Sequence, residues 1–336
     1  MADGPRKAPI EGVGGQAVIE GVMMKSPVGA AVASRLPGGG IVARRLDMRL
    51  LSDRGPIWSK PVFRGAATLV DTLMLGMKAL EWSASRQEKP DPEAGPRKQT
   101  GRSGMGAGAS MGVAFLVAVV VFVWLPLQLS RWLMPDTGSQ VLLHLLAGLF
   151  RIVFFVAYLA LISLMKDVRR VFVYHGAEHQ CIHAYERGGL PVSPEEASRQ
   201  SPLHQRCGTS FLLLLVIVTV LLYAIIDTIV ILVTGTDFSP AMRIVYHLPL
   251  IPPVIGISYE VLRAADRHLE TSTLARMLSV PGMFLQRMTT RRAGPEEAEV
   301  AIAALRLALD EDPGDHVLVE REEVSEARVS LEGAGD

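Results

Sequence analysis

The sequence predicts a mainly α-helical polytopic membrane protein, with about four transmembrane helices and a small N-terminal β-containing cytoplasmic region. Three observations carry that prediction. Apolar residues gather in blocks long enough to cross a bilayer, basic residues crowd alternate connections between those blocks, and two β-like runs flank a glycine turn near the N-terminus. Almost half of the 336 residues are hydrophobic, yet the formal charge balances at zero. Nothing in that balance calls for a nucleic-acid partner, and none is expected.

In chain order, residues 1–60 form the β-like region. Gly29 to Leu36 and Ile41 to Leu50 surround Pro37-Gly38-Gly39-Gly40, which reads as a hairpin. Gly14 and Gly21 do not make a phosphate loop, because no Gly-Lys-Ser/Thr follows and GxGxxG spacing is absent. Residues 61–86 place Leu69, Leu73, Met77 and Leu80 at helical spacing among charges, predicting an amphipathic helix on the membrane or on other cytoplasmic parts. Residues 87–110 read as a flexible linker rich in Gly, Pro and charge.

The membrane domain spans 111–264. Met111–Leu129, Val141–Met165 and Phe211–Val233 are each about the ~20 residues a bilayer requires. Ile244–Leu262 holds Pro249, Pro252 and Pro253, so it reads as a kinked span or a re-entrant segment. Arg151 and Asp227 lie inside spans and are read as an interhelical ion pair. The connection 130–140 carries only Arg131 and 234–242 carries no Lys or Arg, whereas 166–208 and both flanks are basic. The positive-inside rule then sets both termini and the 166–208 loop in the cytoplasm. There, Cys181 and Cys207 are not expected to form a disulfide. Residues 265–311 read as C-terminal cytoplasmic helices, including Pro295–Leu309, and 312–336 as a disordered acidic tail.

The chemistry lies in the loop. Tyr174-His175-Gly176-Ala177-Glu178-His179 has the order His-x-x-Glu-His of inverted zinc hydrolases. Two imidazoles four apart on a helix can share one metal ion, and a neighbouring carboxylate can take a proton from water. The helical pattern continues from the second span to Gly188-Gly189, interrupted only by Gly176, predicting one long helix. His175 and Glu186 are eleven residues apart, ~16 Å of rise, too far for one ion on an unbroken helix. His183 and Glu186 would therefore edge the site or serve a second ion. His204 and Cys207, on the return segment to the third span, are the nearest candidates for a third ligand, with Glu260 as another option. On a surface helix, two His and a Glu are often only a solvated polar face; the nearby cluster of His183, Glu186, His204 and Cys207 raises the case for a metal. Met23-Met24 reads as packing.

Taken together, these residues resemble the YqhQ-like family of bacterial membrane proteins, domain of unknown function 1385. The resemblance rests on Gly14-Gly15-Gln16-Ala17-Val18-Ile19-Glu20-Gly21-Val22-Met23-Met24, Arg64-Gly65, the 174–179 motif, Tyr185-Glu186, His204 with Arg206-Cys207-Gly208-Thr209-Ser210-Phe211, and Tyr259-Glu260, covering about residues 12 to 305. It implies a metal-dependent membrane enzyme whose reaction is not assigned. Its polar motif positions fall on Glu20, His175, Glu178, His179, Glu186, His204, Arg206 and Cys207. Gln205 stands where the family favours proline, and His183 looks like an addition.

The expected function is a hydrolase in the bacterial inner membrane, with the lipid bilayer as partner. His175 and His179 would hold a divalent metal, with Zn²⁺ the leading identity; Glu178 would be the catalytic base, and His204, Cys207 or Glu186 would complete the shell. A di-iron oxidase built on His175, His179 and His183 is a weaker variant, since such sites use about twice as many histidines. The competing class is a non-enzymatic scaffold, joined to a membrane-protein partner or a second copy, with the His/Glu/Cys cluster as a structural clasp.

Overall fold

The computed structural model describes residues 7–47, 50–87, 112–114, 116–135, 139–205, 207–236, 240–268 and 271–320. The segment read as a linker falls almost wholly outside them, as does Arg206. The described residues are 67% helical, with one small sheet formed mainly near the N-terminus.

Alternating burial explains the sheet. Strands β1 (Gly14–Val18), β2 (Gly21–Lys25), β3 (Ala30–Arg35) and β4 (Ile41–Arg45) pair antiparallel in sequence order. Successive side chains point to opposite faces, so Met23 and Met24 enter different cores. One face carries Val18, Met23, Val32 and Val42; the other carries Val22, Met24, Ala31, Ala33, Ile41 and Ala43. Glycine 39, at φ +92°, closes the turn between β3 and β4, and Glu20 sits at φ +48° between β1 and β2. A fifth strand, β5 (Val317–Glu320), pairs parallel to β4. The sequence reading had placed these residues in a disordered tail. Val317 is buried against the sheet, and Glu320 accepts from Trp82 Nε1 (3.0 Å) and Arg86 (2.8 Å), which anchors the strand.

Helix α1 (Phe63–Gln87) covers the first face through Leu75, Ala79 and Trp82. The Leu stripe expected to lie on the membrane or on other cytoplasmic parts is not the side that meets the sheet. Leu73, Met77 and Leu80 point outward, while smaller residues and Trp82 pack inward. Gly76 permits this close approach, since a Cβ there would lie 1.7 Å from the Gln16 side chain. At its other end α1 crosses the helix Ile251–Arg267: Arg64 clasps Glu260 with two bonds of 2.6 and 2.5 Å, and Gly65 backs onto Tyr259. Glu260, weighed as a metal ligand, is thus an ion-pair partner remote in role from the histidines.

Four helices are long and apolar enough to cross a membrane by length and composition: Gly112–Leu133, Val141–Ile162, Leu213–Thr234 and Val245–Arg267. They belong to α2 (Gly112–Leu133), α3 (Gln140–Ile162), α6 (Gly208–Thr234), and a stretch that joins α7 (Pro240–His247) to α8 (Ile251–Arg267). Gly148 of α3 lets Val220 of α6 approach to where a Cβ would stand 2.1 Å away. The prolines of the fourth stretch sit in the 3-10 turn Leu248–Leu250 and the first turn of α8, where a missing N–H breaks little. Arg151 and Asp227 are in electrostatic reach of each other, and each also has a hydrogen-bond partner of its own. Arg151 donates to the Phe122 carbonyl, and Asp227 accepts from Tyr246 and His247.

Helix α4 (Lys166–Gly188) is separate from α3. The chain bends at Ser163–Met165, where Met165 is extended, so the long continuous helix expected from the sequence is two helices. The break falls where the apolar run ends, and Asp167 favours a new N-terminus there. Gly176 does not interrupt α4. After α5 (Pro194–Ser198), the chain returns to α6, and α9 (Thr273–Thr289) leads to α10 (Pro295–Ala308). Alanine-rich α10 and the residue after it are buried from Ala298 through Leu309 apart from Glu299 and Arg306, between α4 and the second face of the sheet. Burying Leu305 alone contributes ~1.5–3 kcal/mol. The core of this layer holds α4 rigidly, with Tyr174, Ala177, Cys181, Ile182 and Tyr185 directed into it.

Candidate metal centre

With that apolar stripe turned inward, the remaining face of α4 presents His175, His179, His183 and Glu186 to the return segment 202–207. Donor atoms of His175, His179 and Cys207 lie within 4.8 Å of one another, and so do those of His183, Glu186 and His204. The sequence offers His204, Cys207 or Glu186 to complete the shell of the first ion, and also sets His183 and Glu186 at its edge or on a second ion. The structure sorts them instead: Cys207 stands with the first two histidines, and His204 with Glu186 and His183.

Backbone carbonyls orient the rings. His175 Nδ1–H donates to Thr289 (2.8 Å), His179 Nδ1–H to Pro202 (2.6 Å) and His183 Nε2–H to Leu203 (2.9 Å). A carbonyl only accepts, so in the neutral ring the opposite nitrogen keeps its lone pair. Burial lowers the basicity of His179 and His183, favouring that neutral form. The Nε2 atom of His175 is 3.2 Å from Cys207 Sγ, and His179 also meets that thiol. Two imidazole lone pairs thus converge on a group with one proton to give. The His175 and His179 rings are 4.5 Å apart, His179 and His204 5.6 Å, and His183 and His204 4.7 Å.

Two glycine and glutamine positions make this approach feasible, and sequence reasoning missed both. A Cβ on Gly176 would stand 1.7 Å from the Arg291 carbonyl, so this glycine lets the 289–291 segment lie against α4 and offer Thr289 to His175. Fully buried Gln286 bonds His204 from both sides, accepting from its N–H (2.8 Å) and donating to its C=O (2.6 Å). A buried glutamine on an otherwise apolar helix face is the only sequence signal for it.

Glu178 points toward β1. The Gly15 amide donates to its carboxylate, and a Cβ on Gly15 would press within 3.2 Å of Glu178 Cγ. Burial pushes the Glu178 carboxyl above its ordinary range, opposed by the nearby His175 and His204 rings. Its Oε2 is buried and has no hydrogen-bond partner among the described residues. Glu20 stands apart from the donor sets. It receives Arg170 through Nε at 2.9 Å and the Tyr174 hydroxyl at 3.2 Å, while Arg170 also grips Glu297 at 2.7 Å. Cys181 faces the core, where burial raises its thiol pKa.

The donor chemistry fits a borderline divalent ion: two imidazole nitrogens and a sulfur in one set, two imidazoles and a carboxylate in the other. Beside His204, Gln205 and α9 border a cavity of about 500 Å³, lined also by Arg276, Ser279, Met283, Phe284 and Arg287.

A family model described as "Protein of unknown function (DUF1385)" matches residues 60–311. The chain is also similar to "Uncharacterized protein YqhQ" of Bacillus subtilis (strain 168), with 32% identity over 296 residues, which cover 86% of this chain and 89% of that protein. No solved structure matches.

Proposed function

Because the chain belongs to the family described as "Protein of unknown function (DUF1385)", a description that carries no reaction, we propose a function from its site: a metal-dependent hydrolase of the bacterial cell membrane. The observation that carries this reading is the convergence of His175 Nε2, His179 and Cys207 Sγ beside the unpartnered, buried Oε2 of Glu178. His175, His179 and Cys207 would hold the ion, with Zn²⁺ the best match to nitrogen and sulfur donors. When bound, such an ion supplies Lewis acidity for the attack of water on an acyl or phosphoryl centre. The protein's own part is proton handling and alignment. Glu178 Oε2 would take the proton of the attacking water and return it to the leaving group, and burial, which raises its pKa, makes it a stronger base than an exposed carboxylate. Thr289 and Pro202 keep the two imidazoles in their accepting orientation, and the packed core excludes bulk water from one side.

The four apolar helices would span the bilayer, with Leu145, Leu149, Leu221, Ile225 and Ile229 exposed to lipid. By the positive-inside rule, the basic connections would put both termini and the candidate metal centre on the cytoplasmic side. Metal analysis of the purified full-length protein tests the reading. Wild type should carry bound transition metal, and the double variant His175→Ala, His179→Ala should lose the thiolate-coordinated ion. Metal-free wild type, purified without chelator, sinks it.

A second reading, a structural clasp within a membrane scaffold, is favoured by one observation. The histidines and Cys207 join α4, the return segment and the end of α9. Glu178→Gln separates the two: a folded, metal-loaded variant without cellular function supports catalysis, and one with full function supports the clasp.

A further inference from the structure

We propose that the centre is built for two cations, the second held by His183, Glu186 and His204. This rests on the reading of His175, His179 and Cys207 as a cation site. Donor atoms of the second set also lie within 4.8 Å of one another, and the two sets share no residue. One ion cannot serve both. Metal–ligand bonds of ~2.0–2.3 Å keep the ligands of one ion within ~4–5 Å of each other, whereas His175 and Glu186 are separated by ~16 Å of rise along α4.

The second set shows the same construction as the first. Leu203 accepts from His183 Nε2–H at 2.9 Å, leaving Nδ1 as the accepting nitrogen of the neutral ring. The preceding carbonyl, Pro202, does the same for His179, so consecutive peptide groups orient one histidine of each set. The next residue is His204 itself, whose backbone Gln286 fixes in both directions. Its Nε2 lies 3.5 Å from Glu186 Oε2, wider than a good hydrogen bond and close enough for both to reach one ion. Metal-ligating histidines characteristically give their other ring nitrogen to such a carbonyl.

The sets differ in softness. A thiolate with two imidazoles prefers Zn²⁺, while two imidazoles and a carboxylate accept Zn²⁺, Mn²⁺ or Fe²⁺. His179 of the first set and His204 of the second have ring centres 5.6 Å apart, so the ions would be neighbours, and Glu178 lies near a histidine of each set. Two adjacent ions stabilising the attacking and leaving oxygens are a recurrent solution in hydrolysis.

Titration of the chelator-stripped, full-length protein in detergent with Co²⁺, Zn²⁺ and Mn²⁺ alone tests the proposal. The readouts are bound metal per chain and the cobalt–thiolate charge-transfer band. Wild type should bind two ions, and Glu186→Gln should bind one with the thiolate band intact. Glu186 has a side chain 30% exposed, so this conservative change avoids the core if His183→Ala fails to fold. One ion in wild type, unchanged in Glu186→Gln, overturns the second site and leaves the first standing. Two ions retained in both Glu186→Gln and His183→Ala also overturn it. No bound ion in wild type overturns both readings.

Discussion

His175 meets Cys207 through the nitrogen that Thr289 leaves over: Nε2 stands 3.2 Å from Sγ, while Nδ1–H is held by the Thr289 carbonyl at 2.8 Å. The pair therefore depends on a peptide group 114 positions further along the chain. Replacing Cys207 by Ser keeps the size but removes the soft donor. Cobalt-loaded Cys207→Ser should lose its thiolate absorption, with metal affinity reduced at least tenfold, as measured by competition with a chromophoric chelator. An unchanged spectrum would exclude Cys207 as a ligand.

Gly176→Ala tests the positioning of His175. The added methyl would collide with the Arg291 carbonyl at 1.7 Å, and the 289–291 segment must retreat from α4. Overpacking of this kind costs ~1–3 kcal/mol, and loss of a ligand's carbonyl partner typically weakens metal binding ~10–100-fold. Thermal unfolding in detergent and zinc titration should register both effects. Wild-type affinity in Gly176→Ala would show that Thr289 does not orient the ring.

Gln286→Leu removes both bonds to the His204 backbone in a fully buried place. Each polar group left without a partner costs ~1–3 kcal/mol. The melting temperature should fall, and the second ion should be lost before the first. Equal loss of both ions, or none, would contradict a local role.

The Glu297 carboxyl supplies a pH signature away from the candidate metal centre. Burial pushes it up, but Arg170 and the Gly294 amide outweigh burial and hold it below the ordinary value. The folded pKa is thus lower than the unfolded one, so its stabilisation is present above the unfolded value and disappears as pH falls through the folded value. Glu297→Gln should lower the melting temperature at neutral pH, and the gap to wild type should close in acid below the usual carboxylate pKa of 4.5. A gap that stays constant with pH would rule out this linkage.

Topology is checked by labelling. Trp132, in the last turn of α2, is 79% exposed, while both native cysteines are buried. Trp132→Cys should react with an impermeant maleimide added outside intact cells, and Arg187→Cys should react only after permeabilisation. The reverse pattern would invert the proposed orientation.

The four apolar helices and the β3–β4 hairpin were legible because their signals are local: block length for the first, a glycine turn between β-like runs for the second. The burial of α10 was less so, since an alanine-rich helix gives little amphipathic contrast and its partners come from α4 and the sheet. β5 was hidden for a related reason. Four residues beside an acidic stretch gain their order from pairing with β4 and from Trp82 and Arg86, which sequence order separates widely. In the candidate centre, the His-x-x-Glu-His spacing named the helix residues, but the division of Cys207 from His204 depends on the path of three residues, 202–204. The carbonyls that orient the rings carry no side-chain identity at all, so no residue pattern announces them.

The Thr289 contact has a consequence for biosynthesis. His175 leaves the ribosome more than a hundred residues before the peptide group that orients it, and all four apolar helices are translated or under way by then. The first donor set has all its side chains by residue 207 but gains its orienting carbonyl only once the chain has been made past residue 289, and β5 closes the sheet later still. Metal capture with native geometry would therefore be a late event of synthesis, and chains truncated before α9 should leave His175 without its orienting carbonyl. Acquisition of the ion would then report that the whole membrane domain has been made and folded.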